Sequence, residues 1–325
     1  MIMLSVELYI LVFILAFLAI AKSSDFLVGS LSYLSRAFGI SEYLAAFIFM
    51  SLATSFPELF VGITSSLKGI PEFSLGNILG ANIINITLVI GLIIFIGNGL
   101  KVEGKISKRN FWIISIAAFL PIFLASDGMV SRSDGALLIL AFILYLLTLY
   151  KEKEYFSKTI SLHNGLHPSL KIFGHLLFFA LALVILILSA NAIVWAGENL
   201  AAKTTLGIML FGAVFVSLGT ALPEVAFGVR ARLKRHVSMA IGNSLGSVAF
   251  NSTFIVGLVG LINPIKTNIS FDFVFLAFTL FLGLFMFNMF VFSKAFISKK
   301  EGAALLAVYG LFLAFECCKY FLPLF

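Results

Sequence analysis

Long, nearly uncharged apolar stretches recur along the whole chain, separated by short polar connections. Each stretch is close to the roughly 20 residues that a helix needs to cross a bilayer. The pattern predicts ten spans, near 4–34, 42–66, 72–97, 110–126, 135–150, 170–200, 206–230, 237–262, 270–293 and 303–324. The longest connection, 151–169, holds no separate domain. The expected class is therefore an all-α integral membrane protein with ten transmembrane helices.

Composition agrees with this pattern. Only 11% of residues are charged and 61% are hydrophobic, whereas soluble domains carry about 25% charged residues. Such a chain cannot coat a water-exposed surface, and its natural surroundings are a lipid bilayer. The net charge of +7 could suggest nucleic acid, but the basic residues sit between the apolar runs. With the N-terminus outside, 16 of the 22 Lys and Arg fall in inner loops and 5 in outer ones, with Lys22 inside the first span. Basic residues concentrate on the cytoplasmic side of short loops, so both termini are expected to be extracellular, in a cell-membrane protein. Nucleic acid is not an expected partner. Ala19-Ile20-Ala21 resembles a signal-peptide cleavage site, but the only charge before that apolar run is Glu7. A signal peptide needs a basic start, so the segment is read as a membrane helix. Cys317 and Cys318 are adjacent and form neither a bridge nor a metal framework.

The two halves resemble each other at an offset of 166 residues. SLATSFPELFVGITSSLKG (51–69) lies on SLGTALPEVAFGVRARLKR (217–235), and GNILGANIINITLVIGL (76–92) on GNSLGSVAFNSTFIVGL (242–258). Over 42 gapless positions there are 16 identities, including Pro57/Pro223, Glu58/Glu224, Asn77/Asn243 and Asn85/Asn251. Chance likeness between apolar helices would match Leu and Ile, not Pro-Glu and Gly-Asn at one offset. Five spans per half, an odd number, make the second half cross in the opposite sense. The expected organisation is a first five-helix repeat at 1–150, a cytosolic connecting loop at 151–169 and a second, inverted repeat at 170–325. Inverted repeats are an architecture of secondary transporters, with the substrate site near the bilayer midplane.

Glu58 and Glu224 lie in the middle of apolar spans at matching positions, where a carboxylate costs about 2.5–3.5 kcal/mol even on lenient insertion scales. No Lys or Arg stands at comparable depth to pair with them, because Lys22 can be occupied by Asp25 three residues on. Pro57 and Pro223 remove a backbone donor and free the carbonyls of Ala53 and Gly219. Ser51, Thr54, Ser217 and Thr220 add hydroxyls about one turn earlier. Glycines four apart, Gly76/Gly80 and Gly242/Gly246, suit close helix packing, and Asn85 and Asn251 are candidates to supply amide oxygens. The set is all oxygen, as hard cations such as Ca2+ or Na+ require. Two carboxylates about 6 Å apart repel by roughly 3 kcal/mol at an effective dielectric of 20. An empty ionised site is therefore unfavourable, which couples movement to occupancy by Ca2+, Na+ or protons. The histidines (His163, His167, His175 and His236) lie in or beside cytosolic loops with no metal spacing.

At SLATSFPELF with GNILGANIIN, and SLGTALPEVA with GNSLGSVAFN, the chain resembles the sodium/calcium exchanger family of the cation/calcium antiporter superfamily. The resemblance covers nearly the whole chain. It implies clustered cation sites formed by spans two, three, seven and eight, with spans one and six sliding across them. It also implies that Thr54, Glu58, Thr220 and Glu224 bind Ca2+. Ser51, Thr54, Ser55, Glu58 and Ser247 would form one Na+ site, and Ser217, Thr220 and Glu224 would belong to the opposite one. Asn85 and Asn251 would line the middle. Ala81 and Ala221 stand where relatives usually have serine, and Asn251 where some have Asp, which raises the case for H+ as counter-ion. Proton-coupled relatives usually carry Gly-Asn-x-x-Glu around the acid, which is absent here. The reading is thus an antiporter exchanging Ca2+ for Na+, functional as a monomer and without a cofactor, with H+/Ca2+ exchange or a cation channel as alternatives. No catalytic constellation points to an enzyme.

Overall fold

Within a bilayer every backbone N–H and C=O must be satisfied inside the protein, and helices achieve this segment by segment. The computed structural model describes residues 6–37, 50–101, 108–151, 168–203, 207–267, 269–293 and 296–321, and they are helical almost throughout. The first half runs α1 (Val6–Ala37), α2 (Ser51–Thr54), α3 (Phe56–Leu67), α4 (Pro71–Ile83), α5 (Ile90–Ile96), α6 (Lys108–Leu124) and α7 (Arg132–Lys151). The second runs α8 (Pro168–Ala201), α9 (Ile208–Phe211), α10 (Ser217–Thr220), α11 (Leu222–Leu233), α12 (Val237–Phe250), α13 (Val256–Ile262), α14 (Phe271–Ser293) and α15 (Lys299–Phe321). The beginning of the expected second span, most of the 151–169 connection, His163, His167 and the Asp25 side chain lie outside the described residues.

Among the described residues five helices are long and apolar enough to cross a membrane: Pro71–Ile96, Arg132–Leu149, Phe173–Ala201, Met239–Ile262 and Phe271–Ser293. A sixth is the pair Ile208–Thr220 and Leu222–Leu233, bent by 42°. Burial sorts them. Pro71–Ile96 and Met239–Ile262 are 83% and 78% buried within the protein, against 28% for Arg132–Leu149. A helix that is apolar and buried all round is a core element, so these two form the centre. The others turn Leu140, Leu144, Leu177, Phe178, Phe281 and similar side chains outward.

Lipid gives apolar helices little reason to associate, so close backbone approach through small residues carries the packing. A Cβ on Gly76 would collide with the Met209 carbonyl, and one on Gly80 with the Ala213 carbonyl. Gly212 in turn has room only for hydrogen against the Phe73 carbonyl. The glycine spacing read from the sequence thus seats α4 against the 208–216 segment of the other half.

Local irregularities recur at matching positions. The helix breaks at Ser55 (φ −88°, ψ 7°) and again at Ala221 (φ −82°, ψ 1°). Each break precedes its proline by two residues, because the proline ring clashes with the carbonyl four residues back and the turn between must open. Pro57 and Pro223 then occupy the first turn of α3 and α11, where proline is tolerated. π-helical stretches link α4 to α5 (Ile84–Val89) and α12 to α13 (Asn251–Ile255). In both, a threonine back-bonds to its own helix: Thr87 Oγ1 donates to Ile83 O and Thr253 Oγ1 to Ala249 O. Such bonds bend helices, and π-stretches frequently mark functional sites.

Two short ribbons tie the halves together. β1 (Leu100–Lys101) pairs antiparallel with β4 (Phe296–Ile297), and β2 (Met129–Val130) with β3 (Ile265–Lys266). At the repeat offset β1 corresponds to β3 and β2 to β4, each within one residue, so exchanging the halves carries one ribbon onto the other.

Candidate cation site

All ten residues singled out from the sequence are buried: Ser51, Thr54, Ser55, Glu58, Asn85, Ser217, Thr220, Glu224, Ser247 and Asn251. The acids are placed by the helix breaks. Each is the third residue of the helix that follows its break, so it sits where unsatisfied N–H groups and the helix dipole favour negative charge. The short helices α2 and α10 end just before, and their carbonyls have lost donors to the prolines.

The structure gathers Ser51, Thr54, Ser55 and Ser247 around Glu224. Ser55 Oγ donates to Glu224 Oε1 at 3.2 Å, and Ser247 Oγ lies 3.5 Å from the same oxygen. Ser247 Oγ is 3.4 Å from Thr54 Oγ1 and 3.5 Å from the Ser51 carbonyl. Thr54 Oγ1 also donates to Asn243 Oδ1 at 3.3 Å. Its mate, Thr220 Oγ1, donates to Asn77 Oδ1 at 3.0 Å, so the same threonine–asparagine bond links the halves twice. Ser55 and Ser247, grouped with Glu58 by resemblance, are thus hydrogen-bonded to Glu224. Ser217 donates to the Ala213 carbonyl on its own helix.

Glu58 is fully buried and neither of its oxygens has a hydrogen-bond partner; Glu224 Oε2 is likewise unpartnered. Thr220 lies beside Glu58, and the two carboxylates are close enough to feel each other's charge. Two neighbouring buried carboxyl groups with three open oxygens form an oxygen-rich environment of the kind that suits a hard cation. No cluster of three or more His, Cys, Asp or Glu that could hold a metal ion occurs among the described residues, and the arrangement here combines two acids with neutral oxygens.

Asn85 and Asn251 both lie on the π-stretches. Both amide atoms of Asn85, and Oδ1 of Asn251, are buried without partners. Asn251 Nδ2 donates to Asn82.

Sequence reading missed four neighbours of the site. Asn77 and Asn243 are repeat identities, but the sequence alone assigns them no role. Asn82 and Ser252 bond to each other across the halves at 2.7 Å, yet their repeat positions hold Val248 and Ile86, so symmetry gave no signal. Away from the site, Glu316 on α15 is also a buried acid with both oxygens unpartnered, and its repeat position is Tyr150.

The family model described as sodium/calcium exchanger protein matches residues 8–151 and again 174–317. The inner membrane protein YrbG of Escherichia coli is 30% identical over 257 residues, covering 77% of this chain and 79% of the relative. The sodium/calcium exchanger MaX1 of Methanosarcina acetivorans is 28% identical over 297 residues, covering 79% and 83%. A solved structure of the sodium-calcium exchanger NCX_Mj aligns with a TM-score of 0.67 at 23% identity, covering 95% of this chain and 99% of that one. At that identity the likeness speaks for the fold.

Proposed function

Because this chain belongs to the sodium/calcium exchanger family, we propose that it is a secondary antiporter that exchanges Ca2+ for Na+ by alternating access, with Glu58 and Glu224 as its ion-binding carboxylates. One observation carries the reading. Two buried acids, one from each matched half, leave three of their four oxygens without a hydrogen-bond partner.

A buried charge left unpaired is strongly destabilising, so the pair needs a mobile neutraliser. One Ca2+ balances both charges, and Thr54 and Thr220 stand ready with hydroxyl oxygens. Na+ ions would occupy the flanks, one among Ser51, Thr54, Ser55 and Ser247, the other beside Ser217 and Thr220, with Asn85 and Asn251 lining the middle. Hard, oxygen-only coordination suits both ions. A site that resists crossing empty enforces exchange and argues against a channel. The relative named a sodium/calcium exchanger supports Na+ as counter-ion. Ala81 and Ala221, which offer no hydroxyl, keep H+ as the second reading.

The architecture proposed with it has ten spans in two inverted five-helix repeats, 1–150 and 170–325, joined by a cytosolic 151–169 loop. Both termini are extracellular in a cell membrane, and the monomer is the working unit. The reciprocal ribbons, the repeated breaks and the inward bias of Lys and Arg support it.

The test is radiolabelled Ca2+ flux in proteoliposomes with Na+ and pH gradients imposed separately. The expected result is uptake driven by the Na+ gradient and abolished by Glu58→Gln or Glu224→Gln. Full flux in either variant would refute the role of the acids, and uptake driven by pH in Na+-free buffer would replace Na+ by H+.

A further inference from the structure

Asn251 has one half of its amide engaged and the other half open. Its Nδ2 donates to Asn82 Oδ1 at 3.3 Å, whereas its Oδ1 is buried with no hydrogen-bond partner. Asn82 is held in turn, its own Nδ2 donating to Ser252 Oγ at 2.7 Å. All three side chains are fully buried. The chain crosses the molecule, since Asn82 stands on α4 of the first half and Asn251 and Ser252 open the π-stretch of the second.

Nothing mirrors this arrangement. The repeat positions of Asn82 and Ser252 are Val248 and Ile86, and Asn85, the mate of Asn251, has neither amide atom hydrogen-bonded. The two middle asparagines are therefore unequal. An amide attracts a cation through its oxygen and repels it through its N–H2 group. Turning the Asn251 amide over would set two carbonyl oxygens against each other unless Asn82 turned as well, its Oδ1 then accepting from the Ser252 hydroxyl, so the three side chains share one polarity. Burying unpaired polar atoms costs more than an average hydrogen bond contributes, so the face that Asn251 offers is tied to the way Asn82 points.

We propose that Asn82 is a positioning residue for cation binding: by accepting the Asn251 N–H it leaves the Asn251 carbonyl oxygen as the face offered to the ion, with Ser252 as the anchor. This rests on the antiporter reading above. Presetting a ligand removes the cost of ordering it when the ion arrives. Asn251 is the preset amide, and Asn85 is the one that orders around the ion.

Asn82→Leu removes the acceptor while keeping the number and branching of the side-chain heavy atoms. Asn82→Asp keeps an acceptor that both Ser252 and Asn251 can donate to. Ser252→Ala removes only the anchor. In proteoliposomes, Asn82→Leu is expected to raise the Ca2+ concentration for half-maximal exchange about tenfold, with maximal rate within twofold of the parent. Asn82→Asp should return it to within about threefold, and Ser252→Ala should raise it about threefold. An unchanged half-saturation in Asn82→Leu overturns the proposal, as does a loss confined to maximal rate or a failure of Asn82→Asp to rescue. Should Asn82→Leu fail to fold, Ser252→Ala decides alone, and an unchanged half-saturation there is fatal. Absence of exchange in the parent protein would instead sink the antiporter reading itself.

Discussion

The Ser55 hydroxyl donates to Glu224 Oε1 at 3.2 Å, so the residue at which one half's helix breaks holds the carboxylate of the other half. The mirror position of Ser55 is Ala221, which has no hydroxyl to give Glu58. The two acids are thus differently supported. A hydrogen bond to a charged group contributes about 1.5–3 kcal/mol, and 1.4 kcal/mol is about tenfold in affinity. Ser55→Ala should weaken ion half-saturation by about tenfold or more. Ala221→Ser should strengthen it several-fold by giving Glu58 the missing partner. Ion titrations of flux in the two variants check both signs.

The glycines of α4 set how near the halves come. A Cβ at Gly80 would meet the Ala213 carbonyl and, at 2.6 Å, Ser217 Oγ; one at Gly76 would meet the Met209 carbonyl. Overpacking of this kind costs about 1–3 kcal/mol. Gly76→Ala and Gly80→Ala should lower the melting temperature in detergent, and Gly80→Ala should also disturb transport because Ser217 must shift. Gly310→Ala is the control. Nothing stands within 4 Å of its Cβ, and it should melt at or above the parent temperature.

Arg232 anchors the far end of the Glu224 helix. Its Nη2 donates to the carbonyls of Gly97 at 2.6 Å and Gly99 at 2.9 Å, in the turn after α5. Arg232→Ala leaves both carbonyls without this donor, a loss of about 1–3 kcal/mol. The variant should melt several degrees lower, while half-saturation changes less than in Ser55→Ala.

Glu316 separates burial from function. It is 4% exposed, with both oxygens unpartnered, near Asp272, which pairs with Lys319. Glu316→Gln removes a buried carboxylate whose oxygens have no hydrogen-bond partner and leaves the Asp272–Lys319 pair in place. Flux should stay within about twofold of the parent and the melting temperature should hold or rise. A loss of exchange comparable to that of Glu58→Gln would give Glu316 a part in transport that its position away from the other two acids does not suggest.

What the sequence disclosed was chiefly what both halves share. Glu58 and Glu224, the proline breaks, Thr54 and Thr220, and the Gly76/Gly80 and Gly242/Gly246 pairs all recur at one offset, and all are buried. The residue at which each helix opens could not be read, because a proline fixes only that the preceding turn must yield, not where. Asn82, Ser252, Arg232 and Glu316 have no matching partner in the other half, so their roles emerge only from what tertiary packing brings beside them. Asn77 and Asn243 fall between: their repetition was plain, but without coordinates nothing distinguished a hydrogen-bond acceptor from a small-residue seam.

The ribbons carry a consequence for assembly. Leu100 meets Ile297 and Val130 meets Ile265, so contacts that align the halves are written on two separate segments of each half. Two separately made polypeptides, ending and beginning inside the 151–169 connection, already contain every described contact needed to find one another in the membrane.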